Sequence, residues 1–431
     1  MKILKTLDEN FNSKFNEILG RGKMDIDTVT GTVLNILTDI KKNGDKAILE
    51  HISKFDRWTP ESTEDLIITK EEMKKAYDNL DNETQNALEV AFNRIKKYHE
   101  KQLPKSWIDT EENGTILGQK VTAIESAGLY IPGGKASYPS SLLMNAIPAI
   151  VAGVKNIVVC SPTPDNEINP LVLGASHICG IKAIYKVGGA SAIGAMAYGT
   201  ETIPKVEVIT GPGNIFVATA KKLVFGDVSI DMIAGPSEIG VIANESANPN
   251  HVAIDLLSQA EHDEMASSIL ITDSLDLAEK VSDEVDNWLK KLSRREIAEK
   301  SINERGAIIV ASSIDEAINL MNEIAPEHLE IITENPFELL PKIKNAGAIF
   351  LGKNTPEAIG DYIAGPNHTL PTGGTAKFYS PLSVEHFMKK SSIISFSDMA
   401  IQEFGEATEI LANHESLEAH ALSVKVRRTQ K

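Results

Sequence analysis

Glu327 and His328 are neighbours in APEHLEI, where a helix ends at Pro326 and a strand begins. A carboxylate beside an imidazole can supply two general bases of different pKa, and Pro326 holds that corner stiffly. The same spacing also describes a polar edge entering a buried strand. In LLSQAEHDEM, Gln259 and His262 stand three apart on a helical stretch and project from one face, a common start to a metal site. A surface histidine beside carboxylates looks alike, and glutamine is an unusual zinc ligand. Asp361 and His368 fall in GDYIAGPNHTLPTGGTAKF, whose Gly, Pro and Thr content marks a long loop that is either functional or mobile. Glu415 and His420, in NHESLEAHALSV, lie on a polar C-terminal helix where such residues are ordinarily solvated.

VEVIT followed by GPGNIFVATAKKL reads as a strand, a glycine turn and a helix start. Backbone N–H groups near Gly211, Gly213 and Asn214 could there meet an anionic ligand, although a tight turn alone explains the pattern. It is not the G-x-G-x-x-G dinucleotide fingerprint. The stretch from Tyr130 to Lys135, YIPGGK, invites comparison with a phosphate loop, but its glycine spacing is wrong and Ala136 stands where a metal-binding hydroxyl belongs.

The elements that must carry these residues follow from periodicity. From Asp25 to about Gln102, apolar residues return every three or four positions (Val33, Leu37 and Ile40; Leu88, Ala91 and Ile95), which predicts amphipathic helices. A short β segment follows around Thr115 to Ala127. Beyond Gly128, the apolar runs NIVVC, KAIYKV, VEVIT, IGVIA, SSILIT, GAIIVA, HLEIIT and GAIFLG are separated by helix-length segments. That alternation predicts an α/β fold with two open, doubly wound (Rossmann-like) sheets, added N-terminal helices and a small C-terminal helical tail. The expected organisation is a helical arm at 1–24; one α/β domain from 25–129 with 238–380; a second α/β domain at 130–237; and a tail at 381–431 that needs a partner subunit to cover its apolar face. In the tail we expect a helix, the short strand SIISF and two polar helices. No internal repeat or low-complexity segment is apparent.

The chain of 431 residues, with 43 Lys and Arg against 60 Asp and Glu, carries a formal net charge of -17. Several domains are expected at this length, and the acidic balance argues against nucleic acid or anionic lipid as partner. A small molecule is the better candidate. The two cysteines, Cys160 and Cys179, sit in apolar segments, the pattern of a reducing compartment, and cannot form a Cys-rich zinc site. The N-terminus lacks a signal-peptide pattern, and the most apolar region, Ser141 to Cys160, is broken by Asn145, Pro148, Lys155 and Asn156. The expectation is a cytoplasmic, soluble protein.

Taken together, GLYIPGGKASYPSS, YGTETIPKVEVITGPGN, IDMIAGPSE, LLSQAEHD, APEHLE, GDYIAGPNHTLPTGGTAKFYSPLSV and the Glu415 to His420 pair resemble the histidinol dehydrogenase family in order and spacing, from about Tyr130 to His420. The resemblance implies one Zn2+ per subunit, held by Gln259, His262 and Asp361, with His420 contributed by the other subunit of a homodimer. The metal would bind the amino and imidazole nitrogens of L-histidinol as a template, and this donor set would also accept manganese or cobalt. Ser237, His328 and Glu415, with the four metal positions, match substrate-binding positions. Glu327 and His328 match the catalytic pair: His328 takes the hydroxyl proton as hydride passes to a first NAD, Glu327 activates water on the bound L-histidinaldehyde, and a second NAD completes the four-electron oxidation to L-histidine, the last step of that biosynthesis.

Tyr130 and Asn214 match NAD-contacting positions. So does Ser191, with a departure: the family usually has glutamine in GGAQAI, whereas this chain has VGGASAIGAMAYG. A short hydroxyl there replaces a long amide. Three other readings compete: a relative oxidising another alcohol such as a sulfonated propanediol; a zinc hydrolase; and a non-catalytic nucleotide-binding module. Retention of Ser237, Glu415 and His420 favours histidinol over the first, the GPGN turn and Tyr130 speak against the second, and the third leaves the acid, base and ligand positions unexplained.

Overall fold

A computed structural model describes residues 1–22, 25–133 and 138–429. Gly134, Lys135 and Ala136 of the phosphate-loop comparison lie outside the described residues.

The eight apolar runs all form strands. One six-stranded parallel sheet has the order Ile3–Lys5, Ala307–Val310, Ser267–Thr272, Glu238–Ala243, His328–Ile332, Ala348–Leu351. Its strands are apolar on both sides because both faces are covered. Ile239, Val241, Leu270 and Ile308 pack on helices Pro249–Ala260, Leu275–Leu289 and Arg295–Arg305; Ile242, Ile269, Ile271 and Ile309 pack on helices Phe11–Gly20 and Ile314–Ile324. His328 and Glu330, alternating with Leu329 and Ile331, therefore share a face with Ile332.

The second six-stranded sheet has the order Ile67–Thr69, Ala183–Tyr185, Asn156–Cys160, Ser126–Tyr130, Val208–Thr210, Ser229–Ile230, parallel except for its first strand. The early helices pack here and not on the other sheet, which corrects the expected union of 25–129 with 238–380. Val33, Leu37, Ile40, Ile48 and Ile52 bury against Val158, Ile193 and Ile209, while Met73, Leu88, Ala91 and Ile95 bury against Leu129, Leu142 and Val172 on the opposite face. The N-terminal arm is corrected too: it opens with the edge strand Ile3–Lys5, paired to Ala307–Val310, before its helix Phe11–Gly20.

The tail also differs from expectation. Strand Met388–Ser395 joins Ile116–Ala123 and Trp107–Thr110 in a three-stranded antiparallel sheet, so residues 107–123 belong with the tail. The helix expected after Pro381 is only the 3-10 turn Val384–Phe387. Helices Asp398–His414 and Glu418–Thr429 follow, with Met399, Leu411, Leu417, Leu422 and Val426 exposed. Among the described residues no helix is long and apolar enough to cross a membrane.

Candidate active site

The acid and base candidates gather at the amino ends of two adjacent strands, Glu238–Ala243 and His328–Ile332, where Ile239 pairs with His328. Glu238 organises this corner through its backbone. Its N–H donates to Glu327 Oε2 at 2.9 Å, and its carbonyl accepts from His328 Nδ1 at 3.1 Å. A carbonyl only accepts, so Nδ1 carries the hydrogen in the neutral ring and Nε2 holds the lone pair. Nε2 is buried without a hydrogen-bond partner among the described residues and lies 3.6 Å from Asp361 Oδ1.

Asp361 comes from the short helix Glu357–Tyr362, which begins after Pro356 and whose first N–H, that of Glu357, is accepted by Glu330 Oε1 at 2.7 Å. One turn of that helix sets Glu357 and Asp361 on one face. Glu357 Oε1 lies 3.9 Å and Glu327 Oε2 3.7 Å from His328 Nδ1. The Gln259 amide, fully buried on helix Pro249–Ala260, lies between Glu357 and Glu238. With its nitrogen toward Glu357 it donates to Oε2 at 2.8 Å, and its oxygen accepts from the Glu238 N–H at 3.2 Å. Turned the other way, the amide oxygen faces the carboxylate, an arrangement stable only with a cation between them.

Charge dominates this pocket. Burial raises Glu327 to about 7, Glu357 to about 8 and Glu238 to about 8. Burial also opposes charge on His328, but Glu357, Glu327 and Asp361 outweigh it and push the imidazole well above its ordinary pKa. Burial opposes charge on Asp361 as well, yet the nearby rings of His328, His368 and His262 keep this carboxyl below its usual range. His368 Nδ1 bonds the Asp361 carbonyl at 3.0 Å. So many carboxylates around a partnerless imidazole nitrogen form a site suited to a cation. His328, Glu357 and Asp361 each offer a ligand atom within 4.8 Å of the others. His262 lies near Asp361, His328 and His368, and burial holds its pKa below the ordinary value, which favours the neutral ring that can serve as a ligand.

His262 is not on the helix with Gln259. That helix ends at Ala260, and His262 sits in the following turn, its N–H bonded to the Gln259 carbonyl at 3.1 Å, because the chain must reverse into strand Ser267–Thr272. Ser237 immediately precedes strand Glu238–Ala243, its carbonyl accepting from the Ser267 N–H at 2.9 Å. Glu415 and His420 are not brought to the pocket: both are exposed at the link between the last two helices, and neither side chain has a hydrogen bond or ion pair to the described residues. Glu357, Glu238 and Glu330 are missing from the sequence-derived candidates. Only the four-residue spacing of Glu357 and Asp361 hinted at one of them.

A second concavity, about 970 Å³ and open to solvent, lies at the carboxyl ends of the other sheet's strands and is lined by Tyr130, Ser191, Asn214, His51, Phe55 and Phe216, among others. Strand Ser126–Tyr130 is where that sheet's connections reverse direction, the place where open α/β sheets take ligands. Tyr130 ends this strand, and its hydroxyl, pushed up to about 12 by burial, accepts from the Gly189 N–H at 3.2 Å. Asn214 caps helix Ile215–Val224, its Oδ1 accepting from the N–H groups of Phe216 at 3.1 Å and Val217 at 3.2 Å. These two N–H groups are therefore satisfied by the Asn cap, and of the N–H groups expected to meet an anionic ligand that of Gly211 is taken by Asp231 Oδ2 at 2.9 Å.

The sequence model of the family described as histidinol dehydrogenase matches residues 19–428. The chain belongs to the histidinol dehydrogenase family. It is 68% identical over 420 residues to the histidinol dehydrogenase of Sulfurimonas denitrificans, covering 97% of this chain and 98% of that one, and 56% identical over 397 residues to that of Bacillus subtilis, covering 92% of each. The crystal structure of histidinol dehydrogenase from Elizabethkingia anophelis superposes with a TM-score of 0.93 at 38% identity, over 99% of this chain and 98% of that one. The two-sheet α/β architecture is thus that of histidinol dehydrogenase. The chain is accordingly an NAD-linked, zinc-dependent oxidoreductase acting on CH–OH (EC 1.1.1.23) in histidine biosynthesis, with histidinol as its substrate.

Proposed function

We propose that the pocket at His328 carries both oxidations of L-histidinol, with Gln259, His262 and Asp361 of one subunit and His420 of the partner subunit holding one Zn2+. Zinc, when bound, serves as a template that fixes the amino alcohol, and NAD, when bound in the cleft beside Tyr130, Ser191 and Asn214, takes up hydride. The observation that carries the reading is the His328 ring: Nδ1 is fixed by the Glu238 carbonyl, and Nε2, without a hydrogen-bond partner among the described residues, is turned toward Asp361, so that once a bound cation offsets the carboxylate charge that raises the ring's pKa, Nε2 is placed to act as a base.

In this reading Nε2 of His328 receives the hydroxyl proton in the first oxidation and the gem-diol proton in the second. Glu327, held by the Glu238 N–H and raised to about 7, takes a proton from the water that adds to the aldehyde. Ser237 and Glu415 hold polar groups of the substrate. Because Glu415 and His420 are exposed in the single chain, a homodimer supplies them across its interface, and the apolar residues exposed on the C-terminal helices favour that assembly. The cytoplasm is the proposed compartment, in keeping with two buried, unpaired cysteines.

The test counts NADH formed per L-histidinol consumed under limiting substrate. About two NADH per substrate, lost on chelation and regained with zinc, is the expected result. One NADH per substrate with free aldehyde accumulating would overturn the proposal that a single pocket performs both steps.

A further inference from the structure

Ser191 interrupts the usual GGAQAI motif, and its hydroxyl has an unexpected partner. Ser191 Oγ lies 2.9 Å from His51 Nδ1, and His51 Nε2 lies 3.1 Å from Asp39 Oδ2. The three residues come from three helices that pack together, Gly189–Tyr198, Asp45–Phe55 and Asp27–Asn43. Asp39 is held at its other oxygen, which accepts from Asn43 Nδ2 at 2.6 Å. Ser191 and His51 both line the cleft that contains Tyr130 and Asn214.

The donors and acceptors admit one arrangement for a neutral ring. The Asp39 carboxylate only accepts, so His51 carries its hydrogen on Nε2 and turns a lone pair at Nδ1 toward Ser191. The serine hydrogen is then used inside the wall, and Ser191 Oγ offers only lone pairs to the cleft. Burial holds His51 below its ordinary pKa, against the opposing influence of Asp39 and Glu50 and aided by Lys54, which keeps the ring in this neutral form.

We propose that Asp39, His51 and Ser191 form a fixed hydrogen-bond relay in the cofactor cleft, in which His51 positions the Ser191 hydroxyl as an acceptor for an N–H or O–H group of the bound dinucleotide. This inference rests on the reading of the cleft as the NAD site. A serine free to rotate would meet the ligand as donor or acceptor indifferently; the relay fixes the choice and gives the short side chain a directed contact.

The experiment measures the Kd of NADH by its fluorescence on the zinc-loaded protein without histidinol, together with KM for NAD, KM for L-histidinol and kcat. His51→Ala is expected to weaken NADH binding about tenfold, the worth of one directed hydrogen bond, with the loss falling on KM for NAD rather than on kcat. Adding Ser191→Gln to His51→Ala places a longer amide in the vacated volume and should recover most of the affinity. Asn214→Ala separates the two levels of the reading. If Asn214→Ala weakens NADH binding and both His51→Ala and the conservative His51→Gln leave it unchanged, the relay is overturned and the cleft stands. If none of them alters NADH binding, the cleft assignment itself fails. A fall in thermal stability with equal losses in kcat and both KM values would make His51 a packing residue and overturn the relay.

Discussion

At the scale of single residues, the site depends on which atoms are left unpaired. His328 is bracketed by Glu238, Glu327, Glu357 and Asp361, yet its ring orientation is decided by one backbone carbonyl. His328→Ala should lower both half-reactions by on the order of 10²–10⁴-fold, the range for loss of a positioned base. Glu327→Gln should cost about 10²-fold in the aldehyde-to-acid step and little in the first oxidation. Single-turnover NADH formation from L-histidinol and from L-histidinaldehyde separates the two, and equal losses for Glu327→Gln would contradict the division of roles. In the proposed zinc site Glu357 holds the Gln259 amide, so Glu357→Ala should weaken zinc affinity by about 10–100-fold in competition with a chromogenic chelator. An unchanged zinc affinity would show that the Gln259 amide needs no such support. Glu327 and His328 were legible in the sequence because they are contiguous. Glu357 was not, since nothing in NTPEAIGDY ties it to a histidine on another element.

At the scale of elements, the eight apolar runs were legible because strands buried on both faces leave no polar alternation to mistake for anything else. The helices of residues 27–99 were equally legible, but an apolar stripe says that a helix is buried and not against which sheet. The glycine turn before helix Ile215–Val224 shows the same limit. Gly211 has φ near 117°, and a Cβ there would lie 2.0 Å from the Tyr130 carbonyl oxygen. Its peptide is clamped from both sides: Asp231 Oδ2 accepts its N–H at 2.9 Å, and Lys221 Nζ donates to its carbonyl at 3.0 Å while pairing with Asp231 in the interior. By sequence, Lys221 is an ordinary last-turn lysine. Lys221→Met should cost about 3–5 kcal/mol in urea denaturation because it strands the buried Asp231. A loss under about 1 kcal/mol would mean that the aspartate is compensated in another way.

At the scale of the whole molecule, the pocket around His328 sits at the amino ends of one sheet and the cleft lined by Tyr130, Ser191 and Asn214 at the carboxyl ends of the other. The loop after Asp361 ties the pocket to the second sheet's helices: His368 bonds the Asp361 carbonyl, and Asn367 Nδ2 donates to the Met144 carbonyl on helix Pro139–Ala152. With Glu415 and His420 exposed in the single chain, the shared-site proposal makes a distinctive prediction. His328→Ala and His420→Ala proteins, each inactive alone, should recover up to about a quarter of wild-type activity when co-expressed, since half of the dimers are mixed and each carries one intact site. No recovery despite confirmed mixed dimers would place both residues in the same subunit's site.

The sequence by itself determined the local alphabet: short apolar runs marked the strands, contiguity exposed the Glu327–His328 pair, and the ordered motifs identified the family. Tertiary structure alone decided what meets across distance. It set the early helices against the second sheet, drew residues 107–123 into the tail and gathered Glu238, Glu357 and Asp361 around one imidazole. It also joined Ser191 to His51 and Asp39. The reason is physical: periodicity reports whether a residue is buried, which is a local property, whereas hydrogen-bond partners and the electrostatic cost of burial depend on atoms that only folding brings together.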